Sequence, residues 1–227
     1  MLASSHAGHA GSSTSREVLT SAELVLSMTD PSNGYESVAG EFLAGRGRAP
    51  STAIGARLVR DWACTLPRGA AVIDVGCRSG LPMSKVLLSE GLNVYAIDAA
   101  PSLVEAFRHN LPKTPVVCES VEDSLFFNRM FDGVLAWGLM FLLLPEAQRS
   151  LIRRMADILV PGGRLLFTSP AEPVSWNDAM TGLESRSLGA AEYRRLLSAG
   201  DISVSSEYED EGQNHYFDSF KRTSRQQ

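Results

Sequence analysis

Long apolar runs are missing from this chain of 227 residues: no stretch approaches the ~18 consecutive apolar residues that a membrane-crossing helix needs. The first residues also lack a basic region followed by an apolar core, which points to a cytoplasmic protein. Cysteine is scarce. Cys64, Cys77 and Cys118 have no close pair spacing, which argues against a disulfide framework and a Cys-x-x-Cys metal or redox site, and suits a reducing compartment. Cys77 and Cys118 fall inside expected buried elements, where thiols act as small apolar groups. No metal-ligand motif is present. Two of the four histidines, His6 and His9, lie in the first fifteen residues, leaving His109 and His215 for the folded part. Basic charge is not concentrated either. Lys and Arg number 21 against 26 Asp and Glu, and they occur as scattered pairs such as Arg46 and Arg48, Arg153 and Arg154, or Arg194 and Arg195. A nucleic-acid partner needs a concentrated basic face, so that class is disfavoured.

What is present suits one sizeable α/β domain with short additions. Residues 1 to about 15 are rich in Ser, Gly and Ala, lack hydrophobic periodicity and are expected to be disordered. Residues 16–66 read as a helical cap, clearest over 36–42 and 51–66, where Ala53, Ile54, Ala56, Leu58, Val59, Trp62 and Ala63 form an apolar stripe. From residue 67 to 227 strands and helices alternate, the pattern of a parallel sheet with right-handed crossovers and helices on both faces.

The central motif is Ala70-Ala-Val-Ile-Asp-Val-Gly-Cys-Arg-Ser-Gly-Leu-Pro82, an apolar strand carrying Asp74, then a glycine turn opening a helix. Gly76 and Gly80 remove side chains that would keep backbone amides from a ligand, and Pro82 suits a first helical turn. The dinucleotide fingerprint needs glycine at its first, third and sixth positions; here Arg78 and Leu81 hold the last two, which weakens a nicotinamide reading. A second strand, Asn93 to Asp98, ends in an acid 18 residues after Gly80, placed to accept both ribose hydroxyls. Third, fourth and fifth strands follow over 116–122, 131–137 and 160–168. Strands over 202–208 and 215–221 are joined by a turn too short for a parallel crossover, so they pair antiparallel.

This series resembles the class I S-adenosylmethionine-dependent methyltransferases of the broad small-molecule type, over roughly residues 35–221. The resemblance implies a Rossmann-like, seven-stranded, mostly parallel sheet with an antiparallel last strand and an N-terminal helical cap. It also implies S-adenosylmethionine as cofactor and S-adenosylhomocysteine as product. By the same resemblance Asp74, Gly76, Cys77 and Gly80 hold the methionine part, Asp98 with Ala99 the ribose, and Ser120 and Val121 the adenine. Trp137 lies along the same edge, Tyr35 beside the sulfonium, and Arg46 or Arg48 reaches the carboxylate. The chain departs from the family at two positions: Arg78 replaces the central glycine, and Ser120 replaces a frequent aspartate. Arg78 is expected either to take an unusual backbone conformation or to turn its side chain to solvent.

Ligands on this architecture sit beyond the carboxyl ends of the strands. That rule brings His215 and Tyr216 to the acceptor side, with His215 the better general base and the two side chains on opposite faces of their strand. Trp176, in a Pro-rich loop over 169–180, and Met140 and Phe141, after the fourth strand, are expected walls for the acceptor. The acidic run Glu207, Glu209, Asp210 and Glu211 reads as a solvated hairpin tip. The fourth strand lacks the Asn/Asp-Pro-Pro-aromatic motif of enzymes acting on exocyclic base amines, and no Pro-Cys pair is present to attack a pyrimidine. The expected reaction is methylation of oxygen, nitrogen or sulfur on a small, partly hydrophobic molecule. Methylation of RNA or protein, and S-adenosylmethionine binding without catalysis, stay open.

Overall fold

The computed structural model describes residues 30–45 and 54–223. The tail over 1–15, the start of the cap, Arg46 and Arg48 lie outside the described residues.

A seven-stranded sheet runs in the order β3-β2-β1-β4-β5-β9-β8. Its strands are β1 (Ala71–Val75), β2 (Asn93–Asp98), β3 (Val116–Cys118), β4 (Phe131–Ala136), β5 (Leu159–Thr168), β8 (Ile202–Glu209) and β9 (His215–Lys221). Strands β1 to β5 pair in parallel, and β9 lies antiparallel to both β5 and β8. This is the Rossmann-like topology that the family resemblance implies, with the parallel strands expected from the alternating pattern.

Two cores follow from the two-residue period of the strands. Val72, Leu135, Leu166 and Tyr216 pack with helices α2 (Ala56–Ala63) and α3 (Met83–Ser89), through Val59, Trp62, Val86 and Leu87. Ile73, Val134, Leu165 and Phe217, each displaced by one residue, pack with Leu151, Ile152 and Met155 of α5 (Pro145–Ile158) and Tyr193 and Leu197 of α6 (Ala190–Ala199). Helix α4 (Pro101–Asn110) sets Phe107 against Cys77 and Ala96.

Chain order reverses at β1, which neighbours β2 on one side and β4 on the other. The crevice beyond the carboxyl ends of these strands is the topological switch point, where open α/β sheets bind ligands. Over it lies α1 (Ala39–Gly45), whose Ala39 and Phe42 cluster with Tyr35, Ala100, Leu103 and Leu142. Glu36 anchors this cap: its carboxylate accepts the Ser102 amide at 2.9 Å and the Ser102 hydroxyl at 2.6 Å, in the first turn of α4, where a negative charge is favoured.

Three local expectations are corrected. The segment read as a loop over 169–180 contains β6 (Pro173–Asn177), which pairs with β7 (Glu184–Leu188) in a separate two-stranded sheet. β6 is largely exposed, so it lacks the apolar alternation that marks a half-buried strand. The third strand is three residues long and sits at the sheet edge, which leaves Cys118 exposed rather than buried. Asp210, read as part of a solvated tip, is buried because its carboxylate organises the β8–β9 turn, accepting the amides of Gly212 and Asn214 at 2.9 Å each.

Candidate functional site

The glycine turn after β1 is built by backbone bonds that converge on β2. The amides of Gly76 and Cys77 both donate to the Ile97 carbonyl, at 2.9 and 3.0 Å. Asp98 completes the turn, with Oδ2 accepting the Arg78 amide at 2.7 Å and Oδ1 the Ala100 amide at 2.9 Å. Burial raises the pKa of Asp98, and these two amides oppose that shift. Each carboxylate oxygen keeps a second lone pair for a ligand hydroxyl.

Above this turn lies a cleft lined by Tyr35, Gly76, Arg78, Asp98, Ala99 and Val121, with Gly138 and Leu142 on the opposite side. About 510 Å³ of empty space lies in it, part of it open solvent. Five of the residues assigned to the cofactor side from sequence, Tyr35, Gly76, Asp98, Ala99 and Val121, therefore meet around one cavity. Tyr35 is buried, and its hydroxyl donates to Asp178 at 3.4 Å, tying the cap to the turn after β6.

Other residues of that set face elsewhere. Asp74 is buried below the cleft, accepts the Ser84 hydroxyl of α3 and has its pKa raised to about 6, chiefly by desolvation. The Cys77 thiol packs into the core under α4, and burial pushes its pKa up. Gly80 is demanded by packing: at φ 77°, a Cβ there would come within 2.7 Å of Leu111 and 2.8 Å of Phe107. Ser120 spends its hydroxyl within its own loop, donating to the Asp123 carboxylate at 2.9 Å and accepting the Asp123 amide at 3.1 Å.

Arg78 takes the left-handed backbone expected of its glycine-like position, at φ 53°, yet its side chain turns inward and not to solvent. The guanidinium donates to the Gly138 carbonyl at 2.7 Å and lies 5.4, 5.6 and 5.8 Å from the ring centroids of Trp137, Phe42 and Tyr35. Gly138 makes room for it, because a Cβ there would fall 2.6 Å from Nη2. Sequence reasoning missed Phe42 and Gly138 as members of the site. The only local signal was Gly138 directly after Trp137 at a strand end.

A second cavity adjoins the first, with Thr168 hydroxyl accepting the Gly138 amide at 2.8 Å in the wall between them. Phe141, Thr168, Ser169, Trp176, Asn214 and His215 line it. The Phe141 and Trp176 rings are in contact, with centroids 5.4 Å apart. Three of the expected acceptor-side residues thus come together. Met140 and Tyr216 do not: Met140 is fully buried in the core, and Tyr216 points to the other face, accepting Trp137 Nε1–H at 2.7 Å and donating to Asp210 at 2.8 Å.

His215 Nε2 stands 2.9 Å from Glu207, which also receives both arms of Arg194 at 2.6 and 2.8 Å. Arg194, and after it His215, lowers the Glu207 pKa, so Glu207 is an ionised acceptor and the ring proton resides on Nε2. Nδ1 lies 3.7 Å from a carboxylate oxygen of Glu209.

Residues 72–163 match the family model of the methyltransferase domain. Over that stretch, about two fifths of its length, the chain is similar to the methyltransferases. It is 38% identical over 148 residues to the ubiquinone biosynthesis O-methyltransferase of Xanthomonas axonopodis pv. citri (strain 306), covering 61% of each chain. The chain thus spans about three fifths of the length of that curated relative. Its fold is similar to that of CalS10, an amino pentose methyltransferase from Micromonospora echinaspora solved with S-adenosylmethionine bound. The TM-score is 0.61, the identity 17%, and the likeness covers 81% of this chain and 96% of that one. The [4+2]-cyclase SpnF is similar too, with a TM-score of 0.66 at 16% identity over 85% of this chain and 96% of the other. Among the described residues no helix is long and apolar enough to cross a membrane, and no group of His, Cys, Asp or Glu is arranged to hold a metal.

Proposed function

We propose that this protein transfers the methyl group of S-adenosylmethionine to an oxygen, nitrogen or sulfur atom of a small, partly hydrophobic molecule. The observation that carries this reading is the pair of adjoining cavities at the carboxyl edge of the sheet, one beside Asp98 and the glycine turn, the other aromatic and polar. The first fits a sulfonium nucleoside in two respects. Asp98 offers free lone pairs at the ribose position, and the three rings around the Arg78 guanidinium already accommodate a cation, as aromatic boxes do. The relatives support a small acceptor, since one is named for ubiquinone biosynthesis and a structural neighbour for an amino pentose.

When bound, S-adenosylmethionine supplies an activated methyl group for a one-step displacement. The chain's own part is to orient and to exclude water. Gly76, Asp98, Ala99 and Val121 hold the nucleoside, while Tyr35 and the cap close the cleft. Phe141 and Trp176 wall the acceptor, and His215, held at Nε2 by Glu207, takes the proton of a hydroxyl acceptor. Three of the five arginines of α5 and α6, Arg149, Arg194 and Arg195, are committed to Glu192 or Glu207, which favours a small molecule over RNA. The cytoplasmic placement expected from the unpaired cysteines belongs to the same proposal. A second reading is favoured by Arg78 standing inside the cleft: a protein that binds the cofactor without transferring its methyl group.

His215→Gln separates the two readings. With a panel of phenols and hydroxylated aromatics and radiolabelled S-adenosylmethionine, wild type should methylate at least one acceptor, and the variant should turn over about 100-fold more slowly with cofactor affinity unchanged. Cofactor binding with no transfer to oxygen, nitrogen or sulfur nucleophiles would leave the binding-only reading.

A further inference from the structure

The cleft contains a cation site that the chain fills with its own side chain. Three aromatic rings from two segments, Tyr35 and Phe42 of the cap and Trp137 after β4, surround the Arg78 guanidinium at centroid distances of 5.4–5.8 Å. Two buried carboxylates lie on the sheet side, Asp74 and Asp98, and Arg78 favours the charged form of both. Rings that stabilise a cation through their π faces, together with buried negative charge, make a site selective for positive groups. Arg78 is held there by a charge-assisted bond to the Gly138 carbonyl, on a strand end that must be glycine to admit it.

We propose that Arg78 is a specificity-determining residue that occupies this cation site, so that a cationic sulfonium ligand must displace the guanidinium and a neutral thioether ligand meets less opposition. This rests on the reading of the cleft as an S-adenosylmethionine site. The sulfonium cofactor carries one more positive charge than S-adenosylhomocysteine. With the guanidinium nearby, the box therefore disfavours the cofactor relative to its product.

The test is calorimetric titration of full-length wild type, Arg78→Gly and Arg78→Gln with S-adenosylmethionine and S-adenosylhomocysteine. Glycine suits the backbone at φ 53°, and glutamine keeps a side chain but removes the charge. In both variants S-adenosylmethionine should bind at least about tenfold more tightly, and S-adenosylhomocysteine by about threefold or less, moving the ratio toward the cofactor. Weaker binding of both ligands would mean that Arg78 clamps the carboxylate they share, and equal changes for both would remove the charge argument; either overturns the proposal. Absence of heat with both ligands in all three proteins would overturn the reading of the cleft itself, and this proposal with it.

Discussion

Asp98→Ala is expected to weaken S-adenosylmethionine binding by about 1.5–3 kcal/mol, the loss of charge-assisted hydrogen bonds to ribose hydroxyls. The structure adds a second consequence. Asp98 is also the acceptor for the amides of Arg78 and Ala100, so the turn that frames the cleft depends on it. Leaving these amides without a partner costs about 1–3 kcal/mol for each that stays buried. The alanine variant should therefore unfold at lower urea concentration as well as bind more weakly. Asp98→Asn retains one side-chain oxygen and should lose less on both counts. A folded alanine variant with undiminished affinity, measured by calorimetry, would move the ribose away from Asp98.

Gly80→Ala is expected to lower folding stability by about 2–4 kcal/mol, combining left-handed backbone strain with overpacking. Its Cβ would meet Leu111 at 2.7 Å and Phe107 at 2.8 Å, and Phe107, on α4, is fully buried. Gly182→Ala provides the comparison. That glycine has φ 70° and nothing within 4 Å of the added carbon, so only the backbone strain applies, about 1 kcal/mol. Urea denaturation of both variants measures the difference. Equal losses would show that the α4 contact does not require glycine at position 80.

The comparison also shows why the glycine turn was legible and part of its meaning was not. An apolar strand with an acid, followed by spaced glycines and a second strand ending in Asp98, reports local geometry, and local geometry is written in adjacent residues. What each glycine touches is decided elsewhere: Gly80 answers to Phe107 and Leu111, which lie some thirty residues further along the chain. The strands and the antiparallel pairing of the last two likewise followed from local patterns, because buried strands end at glycines or acids and a short turn forces antiparallel pairing. The inward turn of Arg78 was hidden. It depends on two rings of the cap and one after β4, from distant parts of the chain, and on the missing side chain of Gly138. Met140 and Phe141 are neighbours in sequence, yet one is core and the other lines a cavity, since the tight turn that holds them points successive side chains apart. His215 was placed at the acceptor edge by topology, but its partner Glu207 was visible only as one member of an acidic run. The β6–β7 sheet escaped notice because exposed strands carry no apolar alternation.

The central claim is that the cleft beside Asp98 receives S-adenosylmethionine, and calorimetric titration of the purified full-length protein tests it most directly. S-adenosylmethionine and S-adenosylhomocysteine should both bind saturably with one site per chain, and NAD should give no heat. Binding of NAD, or of neither adenosyl ligand, would contradict the account.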